Sequence, residues 1–545
     1  MILIYYFLYS FALIGYGLFF TKIFNLKIRN FGFLGFYGLS FLTFISYLTS
    51  LFFVHNFTFN MIILFCGLLF FILAFKEKID IKQNTIVHLI IFLILIIFIA
   101  SAKTHDDFPY YHFPYSYLLT QMEHPIGLGH VNPGFRNASS LFFLNSIFYL
   151  PGSGIYLMSI YSVFFLGFAN QIFINLIIDK KNFSNSKPTY FLALICLSFI
   201  NTFFYRIAEH GVDRSGMIII FIIITISVLI LKNINSRKLF KENLDLFLFI
   251  SIMLSLVASL KSIYLLYIPF GLIFLFFWKK NFFAIIKHPA IIYSTIFVSI
   301  YLIYNFINSG CIVYPADFIC FYELPWSLSR ELILNDNEWF ELWSKAGASP
   351  NYVVEDKQIY IKDMNWFGNW INNYFFNKVS DYLLGLLTLL LIFYFLYFKN
   401  YNRTFNKNNF EIKKFLFLYI FIIIAFLEWF FKHPQLRYGG YHLIALILFL
   451  PLSYIFNSIS INHSIFIKKA KIILMLVLVI FCGRNIDRLI SEHKVYKFNP
   501  FISLKFYHSD DLFRYSDHIN QSIENKKYIN IKLLNKSFLM TKPIN

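Results

Sequence analysis

Apolar residues in this chain come in long runs rather than in narrow stripes. Near residues 2–20, 31–54, 59–75, 85–100, 155–178, 190–205, 215–231, 246–260, 263–278, 291–307, 382–398, 415–431, 441–456 and 472–482 the sequence is dominated by Phe, Ile, Leu and Tyr. A helix rises about 1.5 Å per residue, so runs near 20 residues cross a hydrocarbon core about 30 Å thick. Each run is predicted as a transmembrane helix, thirteen or fourteen in all, the last of them short. The first, "ILIYYFLYSFALIGYGLFF", has no basic flank before it and no small-residue cleavage site, and reads as a retained span. The segment "LFFLNSIFYL" (141–150) is too short to cross and is expected to lie in the interface or to re-enter.

Composition fits this pattern. Of 545 residues 58% are hydrophobic and 14% charged, with a mean hydropathy of +0.64. A soluble fold of that make-up cannot cover its apolar surface. The expected fold class is therefore an all-α polytopic membrane protein. Its divisions are three N-terminal spans (1–84), a core of spans with an acidic outer loop at 101–154 (85–307), an extracytoplasmic loop or cap (308–381), C-terminal spans (382–482) and a polar tail (483–545).

The connections alternate in charge. "TKIFNLKIRN", "KEKIDIKQN", "DKKNFSNSK", "KNINSRKLFKEN", "KKNFFAIIK", "KNYNRTFNKNNFEIKK" and "KKAK" hold 24 Lys and Arg, against 7 in the short connections of the other set. Lys and Arg favour the cytoplasmic side, so the poor set faces outward. The net charge of +19 then reflects topology and contact with anionic lipid headgroups. It is scattered over many loops, so nothing here suits nucleic acid. With fourteen spans the tail leaves outside; with thirteen it leaves inside.

The outward set carries the chemistry. "THDDFPYYHFPYSYLLTQ" (104–121) places Asp106 and Asp107 just past a span, with His105, Tyr111 and His112 beside them. An Asp before a helix commonly accepts backbone N–H bonds, but capping explains one carboxylate and not two. Adjacent carboxylates repel and suit a general base or a divalent-metal site. Lys261 interrupts "LSLVASLKSIYLLYIPFG" where two spans meet almost without a loop. It either snorkels to the interface or holds an anionic phosphate. Arg437 opens the span "RYGGYHLIAL", and Asp213 lies in "EHGVDRSG". Arg grips phosphate through paired hydrogen bonds.

Other outer features carry less. Cys311 and Cys320, nine apart in the long loop, form either a disulfide or two free thiols. Cys66, Cys196 and Cys482 fall in spans. The same loop holds Trp326, Trp339, Trp343, Trp366 and Trp370. Aromatics this dense suit a cap resting on the headgroup layer, with a carbohydrate-stacking surface as the other reading. "GLGHVNPG" (127–134) reads as a loop flexible enough to admit substrate, and "NFT" and "NAS" match a glycosylation pattern common by chance.

Taken in order, these outer residues resemble the GT-C superfamily of integral-membrane glycosyltransferases, close to the bacterial branch related to protein mannosyltransferases. "DFPYYHFP" (107–114) is similar to an acidic motif of that group, with Phe where a Leu is usual. Asp213, Lys261 and the pair Arg437–Tyr438 match its later outer positions, and the likeness covers roughly residues 85–456. The three spans ahead of it depart from the pattern.

The resemblance implies inverting transfer of a sugar from a polyprenyl-phosphate donor to a lipid, glycan or protein acceptor. The site would face the periplasm from a bacterial inner membrane and build part of a cell-envelope glycan. It makes Asp107 the base and Asp106 an orienting or metal-contacting partner, or the reverse. Lys261 and Arg437 would offset charge on the departing phosphate. Tyr438, Asp213, Tyr111, His112 and His105 would line the sugar pocket or assist the leaving group. Some relatives use a divalent metal such as Mg or Mn, and others none. An O-antigen polymerase or ligase would lean on outer-loop Arg residues, whereas 308–381 holds only Arg330. A flippase or transporter would carry mid-span charges and inverted repeats.

Overall fold

Inside hydrocarbon no water serves the backbone N–H and C=O groups, so an apolar run must satisfy them within itself, as a helix does. The computed structural model describes residues 1–28, 30–74, 81–101, 105, 107–181, 183–209, 211–233, 240–347, 354–399, 412–496, 528–533 and 536–541. The first half of the chain forms α1 (Ile2–Ile23), α2 (Phe31–Ser50), α3 (Phe57–Ala74), α4 (Ile81–Leu95), α5 (Phe113–Gln121), α6 (Ser140–Ile147), α7 (Tyr161–Ile178), α8 (Phe183–Phe203), α9 (Gly211–Asn233) and α10 (Phe240–Leu260). The second half forms α11 (Phe270–Phe277), α12 (Phe282–Ile286), α13 (Pro289–Ser309), α14 (Arg330–Lys345), α15 (Lys357–Ile361), α16 (Phe367–Trp370), α17 (Ser380–Tyr397), α18 (Ile412–Lys432), α19 (Gly440–Phe456) and α20 (His463–Tyr496).

Among the described residues eight helical segments are long and apolar enough to cross a membrane, and four shorter apolar ones accompany them. Two more, α8 and α20, run between the same two ends. At one end Lys187 Nζ donates to the Ile459 carbonyl (2.8 Å) and His463 contacts that of Ile177 (3.1 Å). At the other, Arg484 donates to the Thr202 carbonyl (3.0 Å) and Arg488 meets Glu209 (3.2 Å). The short span expected at 472–482 is thus the middle of a 34-residue helix, extended at both ends by polar turns that hydropathy alone does not count. Its last turns, ahead of the polar tail, lie at the end opposite the Lys/Arg-rich connections, here the outer end. In that tail β1 (Tyr528–Leu533) and β2 (Lys536–Thr541) pair antiparallel.

The three N-terminal helices are built into the bundle. A Cβ on Gly17 of α1 would sit 1.9 Å from the Leu34 carbonyl oxygen, and one on Gly38 of α2 1.8 Å from that of Leu13. In lipid such backbone approach replaces the missing hydrophobic drive between helices. From α1–α3, side chains then reach the loop that follows α4. Tyr9 and Tyr47 hydroxyls donate to the carbonyls of Ile147 (2.9 Å) and Ala138 (2.7 Å). Asn60 donates to those of Ser146 and Tyr149, each at 2.8 Å. The stretch expected at 141–150 to lie in the interface or re-enter is α6, with all eight residues buried, because its neighbours are helices and not lipid.

The cap is tied down at several points. Cys311 and Cys320 are joined by a disulfide. Ser329 caps α14 by accepting from the Leu332 N–H (3.4 Å). Asp336 of α14 takes both the Arg136 guanidinium and the Tyr314 hydroxyl. Trp366 and Trp370 are buried within protein rather than laid on headgroups, and the Trp370 indole donates to the Pro434 carbonyl (2.9 Å). The "GLGHVNPG" stretch is a packed turn. The Gly127 N–H donates to the Ile307 carbonyl (2.8 Å), and Gly127 takes φ 82°, a region open to glycine.

Candidate functional site

Four segments far apart in sequence deliver charged groups to one place at the outer end. The first leaves α4 and enters a widened π-type turn, Phe108–His112, that leads into α5. Asp107 stands directly before that turn, yet its carboxylate caps no backbone N–H. The side chain is aimed elsewhere. Its Oδ2 lies 3.7 Å from the Arg437 guanidinium and 3.2 Å from His105 Nδ1. The same Nδ1 lies 3.1 Å from the Asp107 backbone N–H, so an unprotonated ring accepts from the backbone and a protonated one donates to the carboxylate. Asp106 lies outside the described residues.

The second and third segments meet as an ion pair. Asp213 occupies the first turn of α9, where the helix dipole favours a negative charge. Lys261 is the one extended residue between α10 and the 3₁₀ turn Ser262–Tyr267. Its Nζ reaches Asp213 Oδ1 at 2.8 Å and stands 4.3 Å from the centre of the Tyr438 ring. An ammonium over an aromatic face is stabilised by roughly 0.5–2 kcal/mol.

The fourth segment is the turn between α18 and α19. Its backbone is held from outside: the Leu436 N–H donates to the Tyr374 hydroxyl (2.9 Å) and the Trp429 indole to the Gln435 carbonyl (2.7 Å). Gly439 turns the chain at φ 153°, and α19 begins at the next residue. Arg437 emerges from this turn with its guanidinium 4.6 Å from the Trp343 ring centre and 5.1 Å from that of Tyr438. One of its NH groups donates to the Tyr438 hydroxyl (3.3 Å), while Nε is buried without a hydrogen-bond partner.

Electrostatics follow from these neighbours. Burial pushes the Asp107 carboxyl up, but the His105 hydrogen bond and the charges of His105, Arg437 and His112 outweigh it and hold the group well below the usual carboxylate range. Burial drives His112 down to about 4, against the pull of Asp107. His433, in the turn before Arg437, is likewise pushed down to about 4 by burial, and its Nδ1 has no hydrogen-bond partner. Burial and the Asp107 charge raise the Tyr111 hydroxyl far above its ordinary value. For Arg437 burial opposes the charge, and Tyr438, Asp213 and Asp107 more than restore it. Near neutral pH Asp107 and Asp213 are therefore ionised, and the His112 and His433 imidazoles are neutral.

The nine residues expected from sequence divide simply. Asp107, His105, Asp213, Lys261, Arg437 and Tyr438 are joined by the contacts above. Tyr111 and His112, on the π-type turn, sense the Asp107 charge directly. Trp343 and His433 were not singled out as site residues. Trp343 was grouped with the membrane-facing aromatics of the cap, and a signal for His433 was available in its spacing of four from Arg437. Among the described residues no three His, Cys, Asp or Glu side chains are grouped to hold a metal.

No curated protein and no solved structure matches the chain. A family described as a domain of unknown function, DUF8201, matches residues 1–444, a stretch that contains every residue of this site, and the chain belongs to that family.

Proposed function

We propose that the protein is a membrane glycosyltransferase that moves a sugar from a polyprenyl-phosphate donor to an acceptor on the extracytoplasmic face of a bacterial inner membrane. One observation carries the reading. The ion pairs Asp107–Arg437 and Asp213–Lys261 both adjoin Tyr438, whose ring centre lies 5.1 Å from the Arg437 guanidinium and 4.3 Å from Lys261 Nζ, at the bundle end opposite the Lys/Arg-rich connections. A lipid-borne phosphate needs cations at membrane depth, and an attacking hydroxyl needs a carboxylate within reach.

In this reading the acceptor oxygen attacks the anomeric carbon and a new C–O bond forms with inversion. The bond from that carbon to the phosphate oxygen breaks and its electron pair stays on the phosphate, beside Lys261 and Arg437. The acceptor's proton passes to Asp107. A carboxylate held so low is a weak base, which suits a transition state where the sugar has become oxocarbenium-like before the proton leaves. Arg437, with a third of its side chain exposed, supplies a fixed cation beside the developing charge.

Glycolipid profiling by mass spectrometry of cells carrying the native chain, a deletion or Asp107→Asn tests this. The expected result is that both altered strains accumulate the polyprenyl-phosphate sugar and lack the same sugar in one envelope glycan. An Asp107→Asn strain indistinguishable from native, beside a deletion with a phenotype, would sink the mechanism.

A further inference from the structure

The chemistry above leaves unused an aromatic strip on the cap. Asp336, Trp339 and Trp343 of α14 follow one another at spacings of three and four, so they lie on one face of the helix. Both ends of that face are pinned. Asp336 is bound to Arg136, which also donates to the Gly129 carbonyl (3.2 Å). The turn around it packs on the acidic segment, where Asn132 donates to the Tyr110 carbonyl (3.0 Å). At the other end Trp343 faces Arg437. Trp339 lies between these anchors on the same helix face.

Its own contacts fit a platform. Trp339 is stacked beside Trp343, with ring centres 6.0 Å apart and planes 18° from parallel, yet it keeps 49% of its surface exposed. Tyr110, on the π-type turn next to Tyr111, is 39% exposed. A ring face is electron-rich, and the axial C–H groups of a pyranose carry partial positive charge, so a sugar lies flat on such a surface.

Resting on the glycosyltransferase reading, we propose that Trp339 and Trp343 form a saccharide-binding subsite that seats a pyranose unit of the acceptor next to Asp107. The acceptor is accordingly a glycan or glycolipid rather than a polypeptide. The exposed ring of Trp339 carries the sugar, and Trp343 joins that platform to the phosphate-binding cations.

The test uses the full-length chain in lipid nanodiscs. The probe is the pool of saccharides released by mild acid from the envelope glycolipids of the deletion strain. Native protein is expected to bind a component of that pool saturably. Trp339→Ala should weaken binding about tenfold, the loss expected for one aromatic stacking partner, while Trp339→Phe stays within about threefold because a ring remains. Quenching by brominated lipids should be equal in native and Trp339→Ala proteins. Saccharide binding untouched by Trp339→Ala, no binding by native protein, or bromolipid quenching that falls on removing Trp339 would each overturn the subsite. The two proposals fail separately. A normal glycolipid profile in the deletion strain removes the transferase reading whatever the binding shows. Sugar transfer insensitive to Trp339→Ala removes only the subsite.

Discussion

Lys261 and Asp213, 48 positions apart, meet at 2.8 Å where α10 ends and α9 begins, each side chain about a quarter exposed. The pair fixes the ammonium over Tyr438 rather than letting it extend toward the headgroups. Lys261→Met should therefore cut transfer about a hundredfold or more, since a cation aimed at developing charge is lost. Asp213→Asn should cost less, about tenfold, because the cation survives but is held loosely. Initial rates with purified protein and lipid-linked donor separate the two. Equal losses would make Asp213 a direct participant.

Asp107→Asn and Asp107→Glu should both lose transfer by about 10²–10⁴-fold, the first by removing the proton acceptor and the second by moving it. Donor binding should change little in either, measured as retention of lipid-linked sugar on the purified variants.

Arg437→Lys is not a conservative change here. The planar guanidinium lies against Trp343 and Tyr438 while facing Asp107, and a Lys ammonium cannot make the three contacts together. Loss of about 10²-fold in turnover is expected, with KM for the donor raised.

Acidity should act in a defined window. His112 is held neutral down to about pH 4 and Asp107 stays ionised lower still. His112→Gln should thus leave the shape of the rate profile between pH 7 and about 5 unchanged, since His112 does not titrate there. Stability runs differently. A His whose folded pKa is depressed is protonated first in the unfolded chain, so its contribution falls as pH drops below about 6.5 and goes on falling to about 4. The Asp107 contribution, also from a depressed pKa, holds above its unfolded value near 3.8 and is lost only below it. Thermal unfolding in detergent across pH 7 to 4 checks this, with His112→Gln giving the shallower slope.

Arg136→Ala should loosen the cap. It leaves the Asp336 carboxylate, side chain 22% exposed, facing Tyr314 without its cation, at a cost of about 3 kcal/mol, the lower end for breaking a buried pair. Limited proteolysis should then cut within 308–381 faster than in the native protein. Tyr314→Phe should have a smaller effect, since the ion pair remains.

The helices and their order were legible in the sequence. An apolar run in lipid has no competing fold, and Lys and Arg counts orient the connections. Asp107, Asp213, Lys261 and Arg437 were visible for the same reason: a charge on an apolar background stands out, and all four fall on the same side of the alternation. The extent of α20 was not legible, because its polar turns are stabilised by contacts with α8 and with Glu209 in the turn after it rather than by composition. Nor was the place of α6, whose burial depends on Tyr9 and Asn60 reaching it from α1 and α3.

Pairing is where tertiary structure alone decided. Composition cannot say that Lys261 takes Asp213 and Arg437 takes Asp107, because the four residues are brought together only when four helix ends converge. It also cannot distinguish Trp343 beside Arg437 from Trp366 in the core, since both sit in amphipathic cap sequence. The sequence by itself determined a many-helix membrane protein with its charged groups gathered at one end. Which charge faces which, and which aromatic ring lies against Arg437, rests on contacts between segments from 48 to 330 residues apart, and a local pattern carries no record of those.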